Sequence, residues 1–152
     1  MVVNVVNGHA KAPETAELAH RLRPVLLKLA RELRREVHAL GVTGGQVALL
    51  IQIRRHQGIG ARELAELERI SPAAMSGYIA RLQKAGLVTR VPDEKDRRRQ
   101  VLALTEEAES VLRSVRSRRT AWLAERLDRL EPKERAAIEA ALEPLSRLLE
   151  AK

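Results

Sequence analysis

The chain has 152 residues, a length typical of one domain with a buried core. Hydrophobic residues make up 45% of it, but only Trp122 and Tyr78 are aromatic, so aliphatic residues and Ala must form the core and helices are favoured. The formal net charge of +8 indicates a polyanion or an anionic surface as partner, and the absence of cysteine excludes disulfides, thiolate metal sites and thiol oxidation chemistry.

The first predicted elements are a flexible N-terminal arm over residues 1–13 and an amphipathic helix over 14–40. Apolar residues recur at spacings of three and four from Leu18 to Leu40, which is the period of a helix with one apolar face. Pro24 predicts a kink or a restart, since proline removes a backbone donor and clashes with the preceding turn. We expect this helix to pack against a second copy of the chain.

Residues 41–104 are predicted to form a separate lobe. Thr43 and Gln46 have capping-box spacing, so a helix should begin at about Gly44. A helix of about two turns follows over 61–68, with Glu63 placed to cap its beginning.

A further helix is predicted from Ser71, a residue typical of an N-cap, with Pro72 in the first helical position and Gly86 after the end. Two short helices joined by about three residues are typical of a helix-turn-helix. Their predicted buried residues are Leu64, Ala65, Leu67, Met75, Tyr78, Ile79 and Leu82.

The period changes after Gly86. Residues 87–91 and 100–104 are short apolar runs that flank a charged segment, which predicts a two-stranded hairpin with a projecting tip. Thr105 then caps a new helix.

The last third, residues 105–152, is predicted to form C-terminal dimerisation helices with a break at Glu131 and Pro132. Their apolar stripes are Val111, Leu112, Val115, Trp122, Leu123, Leu127 and Leu130, and then Ala137, Ile138, Ala141, Leu142, Leu145 and Leu149. Together with the N-terminal helix they exceed what one small domain can bury, so we expect a homodimer with an obligate type of interface.

The positive charge is concentrated in the predicted lobe. Residues 41–104 hold 11 basic and 6 acidic side chains, a net charge of +5, whereas residues 1–40 carry +3 and residues 105–152 carry 0. No apolar run approaches the roughly 20 residues of a membrane span. We therefore expect a cytoplasmic protein with no membrane partner.

The run GLVTRVPDEKDRRRQVLALT, from Gly86 to Thr105, and the preceding ARELAELERISPAAMSGYIARLQKAG resemble the MarR family of bacterial transcriptional regulators. The resemblance covers nearly the whole chain. It implies a mainly α fold, with a winged helix-turn-helix lobe, a two-stranded wing and helices from both chain ends that form a dimer. It also implies binding to a pseudopalindromic DNA operator, usually repression, and often relief by a small-molecule ligand.

In the wing, the family's Asp-x-Arg element matches Asp96 and Arg98. The resemblance implies that Arg98 enters the minor groove and that Asp96 orients it, which would lower the entropy lost on insertion. Lys95, Arg97 and Arg99 are further expected DNA contacts, with Arg97 and Arg99 on phosphates.

In the recognition helix, the family pattern directs the N-terminal residues toward base edges. Here these are Pro72, Ala73, Ala74, Ser76 and Gly77. Only Ser76 is polar, so we expect specificity to depend on groove shape and on the wing, while Arg62, Arg81 and Lys84 contact phosphates.

The sequence contains no phosphate-binding loop and no nucleophile signature, and the four histidines lack metal-ligand spacing. We expect no enzyme activity, no cofactor and no metal. The sequence identifies no residues that line a ligand pocket. Tyr78 and Trp122 are interpreted as core residues. Two alternatives stay open: an architectural protein that coats DNA without sequence preference, and a helical adaptor for acidic partners or anionic lipid.

Overall fold

The structure is a computed structural model that describes residues 13–150, so nearly all of the predicted N-terminal arm lies outside the described residues. Within that range the chain is mainly helical with one two-stranded antiparallel sheet, as predicted. The elements are α1 (Pro13–Arg35), a short 3-10 helix (His38–Leu40), α2 (Gly44–Arg55), α3 (Ala61–Glu68), α4 (Pro72–Lys84), β1 (Val88–Pro92), β2 (Gln100–Leu104), α5 (Glu106–Leu127) and α6 (Pro132–Glu150).

The predicted capping residues begin their helices. The Thr43 hydroxyl accepts the Gln46 N–H at 3.2 Å, and the Gln46 side chain accepts the Thr43 N–H at 2.8 Å, so the capping box of α2 is confirmed. The Thr105 hydroxyl accepts the Ala108 N–H at 3.1 Å and donates to the Gly86 carbonyl at 2.7 Å. Thr105 therefore joins the beginning of α5 to the end of the helix-turn-helix.

The N-terminal helix is shorter than predicted. α1 continues through Pro24 without a restart and ends at Arg35, five residues before the expected end at Leu40. The chain then turns through the 3-10 helix, and Gly41 adopts a left-handed conformation with φ of 72°.

Two arginines of α5 bond backbone carbonyls at this end of α1. The Arg119 Nε donates to the Leu33 carbonyl, and the Arg118 Nε donates to the Glu36 carbonyl, each at 3.1 Å. Carbonyls at the C-terminal end of α1 are thus satisfied by another helix rather than by a further turn. Burial lowers the pKa of Arg119, and the nearby charge of Arg34 lowers it further.

One aliphatic core underlies the lobe. Its largest fully buried side chains are Val37, Val47, Leu50, Leu64, Met75, Ile79 and Leu82, and Leu87, Val88 and Leu102 join it from the hairpin and the residue before it. The strands pair with Val88 opposite Leu104 and Pro92 opposite Gln100. The Leu102 N–H also donates to the Ile59 carbonyl at 2.9 Å, which attaches the hairpin to the segment before α3.

The terminal helices lie largely outside this core. None of residues 14–35 of α1 is buried, and none of α6 is buried. Large apolar side chains exposed on them include Leu18, Val25, Leu26, Leu27, Leu29, Ile138, Leu142, Leu148 and Leu149. Within residues 13–150, no helix combines the length and apolar character needed to cross a membrane.

The first part of α5 belongs to the lobe, which corrects its assignment to the dimerisation stripe. Ala108, Leu112 and Val115 are buried in the same core as α2 and α4, so this core extends past residue 104 into the predicted dimerisation segment. The helical period identifies the apolar face of α5, but it does not identify the partner of that face.

We predict that Val115→Asp unfolds the lobe rather than separating two folded copies. A carboxylate at a position that is 3% exposed has no partner in the aliphatic core. The free energy of unfolding should fall by roughly 4 kcal/mol or more. Thermal melting followed by circular dichroism measures it, with the exposed Ser117→Asp on the same helix as control. A Val115→Asp protein that melts like the wild type would contradict this core assignment.

Candidate nucleic-acid interface

The helix-turn-helix consists of α3, a three-residue turn and α4. The Glu63 carboxylate accepts the Gly60 N–H at 2.8 Å and caps α3, as predicted. Arg69 then turns the chain with a left-handed φ of 55°, and the Ile70 N–H donates to the Ala65 carbonyl at 3.0 Å. The Ser71 hydroxyl accepts the Ala74 N–H at 3.2 Å and begins α4 with Pro72 in its first turn.

The core determines which face of α4 is available to a ligand. Met75, Ile79 and Leu82 are completely buried, which leaves the opposite side of the helix outward. The predicted site residues of α4 are accessible: Pro72, Ala73, Ala74, Ser76, Arg81 and Lys84 are exposed, and Gly77 is half-buried. In the N-terminal half of this face the side chains are small, since Ala73, Ala74 and Gly77 carry a methyl group or none.

Two residues interpreted as core residues are exposed instead. Tyr78 is 43% exposed, and the Arg81 guanidinium carbon lies 4.7 Å from the centre of its ring. Leu67 of α3 is also 43% exposed. Both lie at the edge of an apolar helical face, where the helical period alone does not determine whether a residue is buried or exposed. Trp122 is half-buried, with the Arg126 guanidinium carbon 3.7 Å from its ring centre.

The wing tip is organised by backbone hydrogen bonds to two carboxylates. Asp93 Oδ1 accepts the N–H groups of Lys95 at 2.7 Å and Asp96 at 3.1 Å. These bonds lower the pKa of Asp93, so its carboxylate stays ionised down to acidic pH and the turn is retained at neutral pH. The Asp93 N–H and the Arg99 carbonyl close the tip at 2.9 Å.

Asp96 contacts Arg98 through the backbone of Arg98. Asp96 Oδ1 accepts the backbone N–H of Arg98 at 3.1 Å. Among the described residues, no ion pair joins the Asp96 carboxylate to the Arg98 guanidinium. Asp96 therefore fixes the direction in which the Arg98 side chain leaves the backbone, while its guanidinium stays available for a ligand.

The three consecutive arginines of the wing differ in their surroundings. Arg97 and Arg98 are exposed and, like Lys95, make no ion pair within residues 13–150. Arg99 instead pairs with Glu63 of α3, and its Nη2 lies 3.4 Å from the Gly58 carbonyl. The structure thus gives Arg99 an intrachain contact at the base of the wing, and its expected phosphate contact stays a prediction.

Arg62, the predicted phosphate contact of α3, is highly exposed. Its side chain is 87% exposed and its Nε lies 3.4 Å from Glu66 one turn later on the helix. A pair this exposed is weak, so a phosphate can compete for the guanidinium.

Sequence reasoning missed the second role of Glu63. It predicted the cap at Gly60, which is local, but not the ion pair with Arg99, which is 36 residues away. From the sequence, Arg97 and Arg99 had the same expected role on phosphates, and no signal in it marked Arg99 as the partner of Glu63.

Comparison with known proteins shows similarity in both sequence and fold. Residues 42–99 match the family model described as "MarR family". An HTH-type transcriptional regulator of Mycobacterium tuberculosis is 30% identical over 135 residues, which cover 89% of this chain and 94% of that protein. A candidate transcriptional regulator from Pseudomonas aeruginosa is 31% identical, with a TM-score of 0.81 over 93% of this chain and 99% of that one.

The helix-turn-helix, the two-stranded wing and its cationic tip define a winged helix-turn-helix DNA-binding protein. With the similarity to these proteins, they also define the family. The chain belongs to the MarR family of HTH-type transcriptional regulators; it is a DNA-binding regulator and not an enzyme. The fold is shared with the Staphylococcus aureus MepR F27L mutant bound to an oligodeoxyribonucleotide, at 18% identity and a TM-score of 0.67 over 87% and 97% of the two chains.

We predict that Glu63→Gln loosens the wing without unfolding the protein. The amide oxygen of Gln can still cap Gly60, but the ion pair with Arg99 is lost. Trypsin should cleave after Lys95, Arg97 and Arg98 several-fold faster. The free energy of unfolding should change by at most about 1 kcal/mol, because the pair is half exposed.

The matched control is Glu66→Gln, which removes a carboxylate from the same helix that does not contact the wing. Equal cleavage rates in the two variants would show that Glu63 does not hold the wing.

Proposed function

We propose that the protein is a homodimeric transcriptional repressor that binds a pseudopalindromic operator. The observation that carries this proposal is the pair of free cationic side chains on a fixed wing tip. Arg97 and Arg98 project from a turn closed by Asp93 and Asp96, and Arg99 anchors that turn to α3. An arginine whose backbone is already ordered loses less entropy when it enters a narrow minor groove.

The exposed apolar faces of α1 and α6 support the dimer. Monomeric proteins rarely expose so many large aliphatic side chains along their helices. Leu26 is 43% exposed and Leu142 is 58% exposed, and each lies among other exposed apolar residues of its helix. A second copy of the chain buries such a surface with two-fold symmetry, and a two-fold protein matches a two-fold DNA site with half-sites about 34–36 Å apart.

Repression is the simplest consequence of this architecture. A dimer bound across a promoter excludes the polymerase by occupancy alone, whereas activation requires an additional favourable contact with the polymerase. Relief by a small-molecule effector is the part of the proposal that rests on the family alone. It is tested as loss of operator affinity when candidate compounds are added to the complex.

The second candidate function is an architectural protein that coats DNA. This function is favoured by Ala73, Ala74 and Gly77 of α4, whose side chains cannot form a hydrogen bond with a base edge. Selection from random duplexes separates the two functions. Enrichment of one symmetric sequence supports operator binding. Coating is supported if no sequence is enriched and the affinity for all duplexes falls as the salt concentration rises.

We predict that Arg98→Ala lowers affinity for the selected duplex by roughly tenfold, the scale expected when a groove-inserted arginine is lost. Fluorescence anisotropy at one fixed salt concentration measures the dissociation constant. Arg147→Ala, which removes the same charge from exposed α6, is the matched control and should leave the affinity unchanged. Equal losses in both variants would mean that only total charge matters.

We predict that Leu142→Glu gives folded monomers with weakened operator binding. The new charge opposes burial of the apolar face of α6, whereas the lobe core contains no residue of α6. Sedimentation velocity reports the oligomeric state and circular dichroism reports the fold. The control is Arg147→Glu, which lies on roughly the opposite side of α6 from Leu142 and should stay dimeric. A dimeric Leu142→Glu protein would place the interface elsewhere.

A further inference from the structure

Tyr78 and Arg81 form a preorganised pair on the exposed face of α4. They are three residues apart, so they are neighbours on the helix surface. The Arg81 guanidinium carbon lies 4.7 Å from the Tyr78 ring centre, a cation–π contact. Tyr78 is 43% exposed and therefore does not serve the core.

Arg81 keeps donors for a ligand. A guanidinium carbon placed over a ring still has several N–H groups attached, and the ring does not use them all. Within residues 13–150 no carboxylate forms an ion pair with Arg81. A held guanidinium with free in-plane donors is the arrangement needed for a bidentate contact with the O6 and N7 atoms of guanine.

Gly77 adds a second observation. A methyl group at Gly77 would lie 3.8 Å from Arg81 Nη1, so the guanidinium extends along the helix beside this position. That is an ordinary contact, and Gly77 has no positive φ, so the chain itself would accept alanine there. Glycine weakens a helix interior, and its use here fits a surface that another molecule approaches closely.

We propose that Tyr78 is a positioning residue that holds Arg81 to read one guanine in each half-site. Arg81 then supplies base-specific hydrogen bonds that Ala73, Ala74 and Gly77 cannot make, in place of the phosphate contact expected from the sequence. This inference rests on the proposed operator binding.

The test begins with selection of an operator by the wild-type protein. Each guanine of a half-site is then replaced symmetrically by adenine, and affinities are measured for the wild type and for Arg81→Met, Tyr78→Phe and Tyr78→Leu. Replacing one particular guanine should lower the affinity of the wild type about tenfold and that of Arg81→Met hardly at all, because methionine has no donor for guanine O6 or N7. Tyr78→Phe should keep that preference, since it keeps the ring, and Tyr78→Leu should lose most of it.

Several results would overturn the inference. If Arg81→Met binds every duplex more weakly by the same factor and keeps the preference for guanine, Arg81 contacts a phosphate instead. If Tyr78→Leu keeps the full preference for guanine, the ring does not position Arg81. Failure of the wild type to select any sequence would instead refute operator binding itself, which keeps the two failures distinct. Circular dichroism of each variant shows that the fold is retained.

Discussion

The aliphatic core beneath α4 is the constraint on which the DNA-facing surface depends. Met75, Ile79 and Leu82 are completely buried, so the rotation of α4 about its axis is fixed and one set of side chains faces outward. Leu87 and Leu102 tie the wing into the same core. Because one core orients both elements, it fixes the position of the recognition helix relative to the wing.

Much of the fold could be predicted because its signals are local. Thr43, Ser71 and Thr105 each accept a backbone N–H three residues later, and such short-range bonds depend on neighbouring residues only. The change of period after Gly86 identified the hairpin for the same reason, since alternation is a property of consecutive residues. These elements in this order were sufficient to predict the winged helix-turn-helix.

The remaining features depend on contacts that are distant in the sequence. The C-terminal end of α1 is bonded by α5: Arg119 donates to the Leu33 carbonyl and Arg118 to the Glu36 carbonyl just after the helix, and both partners lie more than 80 residues away. Arg99 differs from Arg98 only because Glu63 lies beside it in the fold. A helical period likewise leaves the edge of an apolar face undetermined, which is why Tyr78 was assigned to the core.

The path of α5 connects the lobe with the surface proposed for dimerisation. Its first half is buried with the recognition helix through Leu112 and Val115, and further along it Arg119 is bonded to α1. A displacement of α1 or α6 at the dimer interface would therefore be transmitted to the lobe through one continuous helix. Because half-sites have a fixed separation of about 34–36 Å, a small rotation of each lobe changes the match to both half-sites at once. In the proposed dimer, a rotation of α5 would therefore weaken operator binding without a change in any residue that touches DNA.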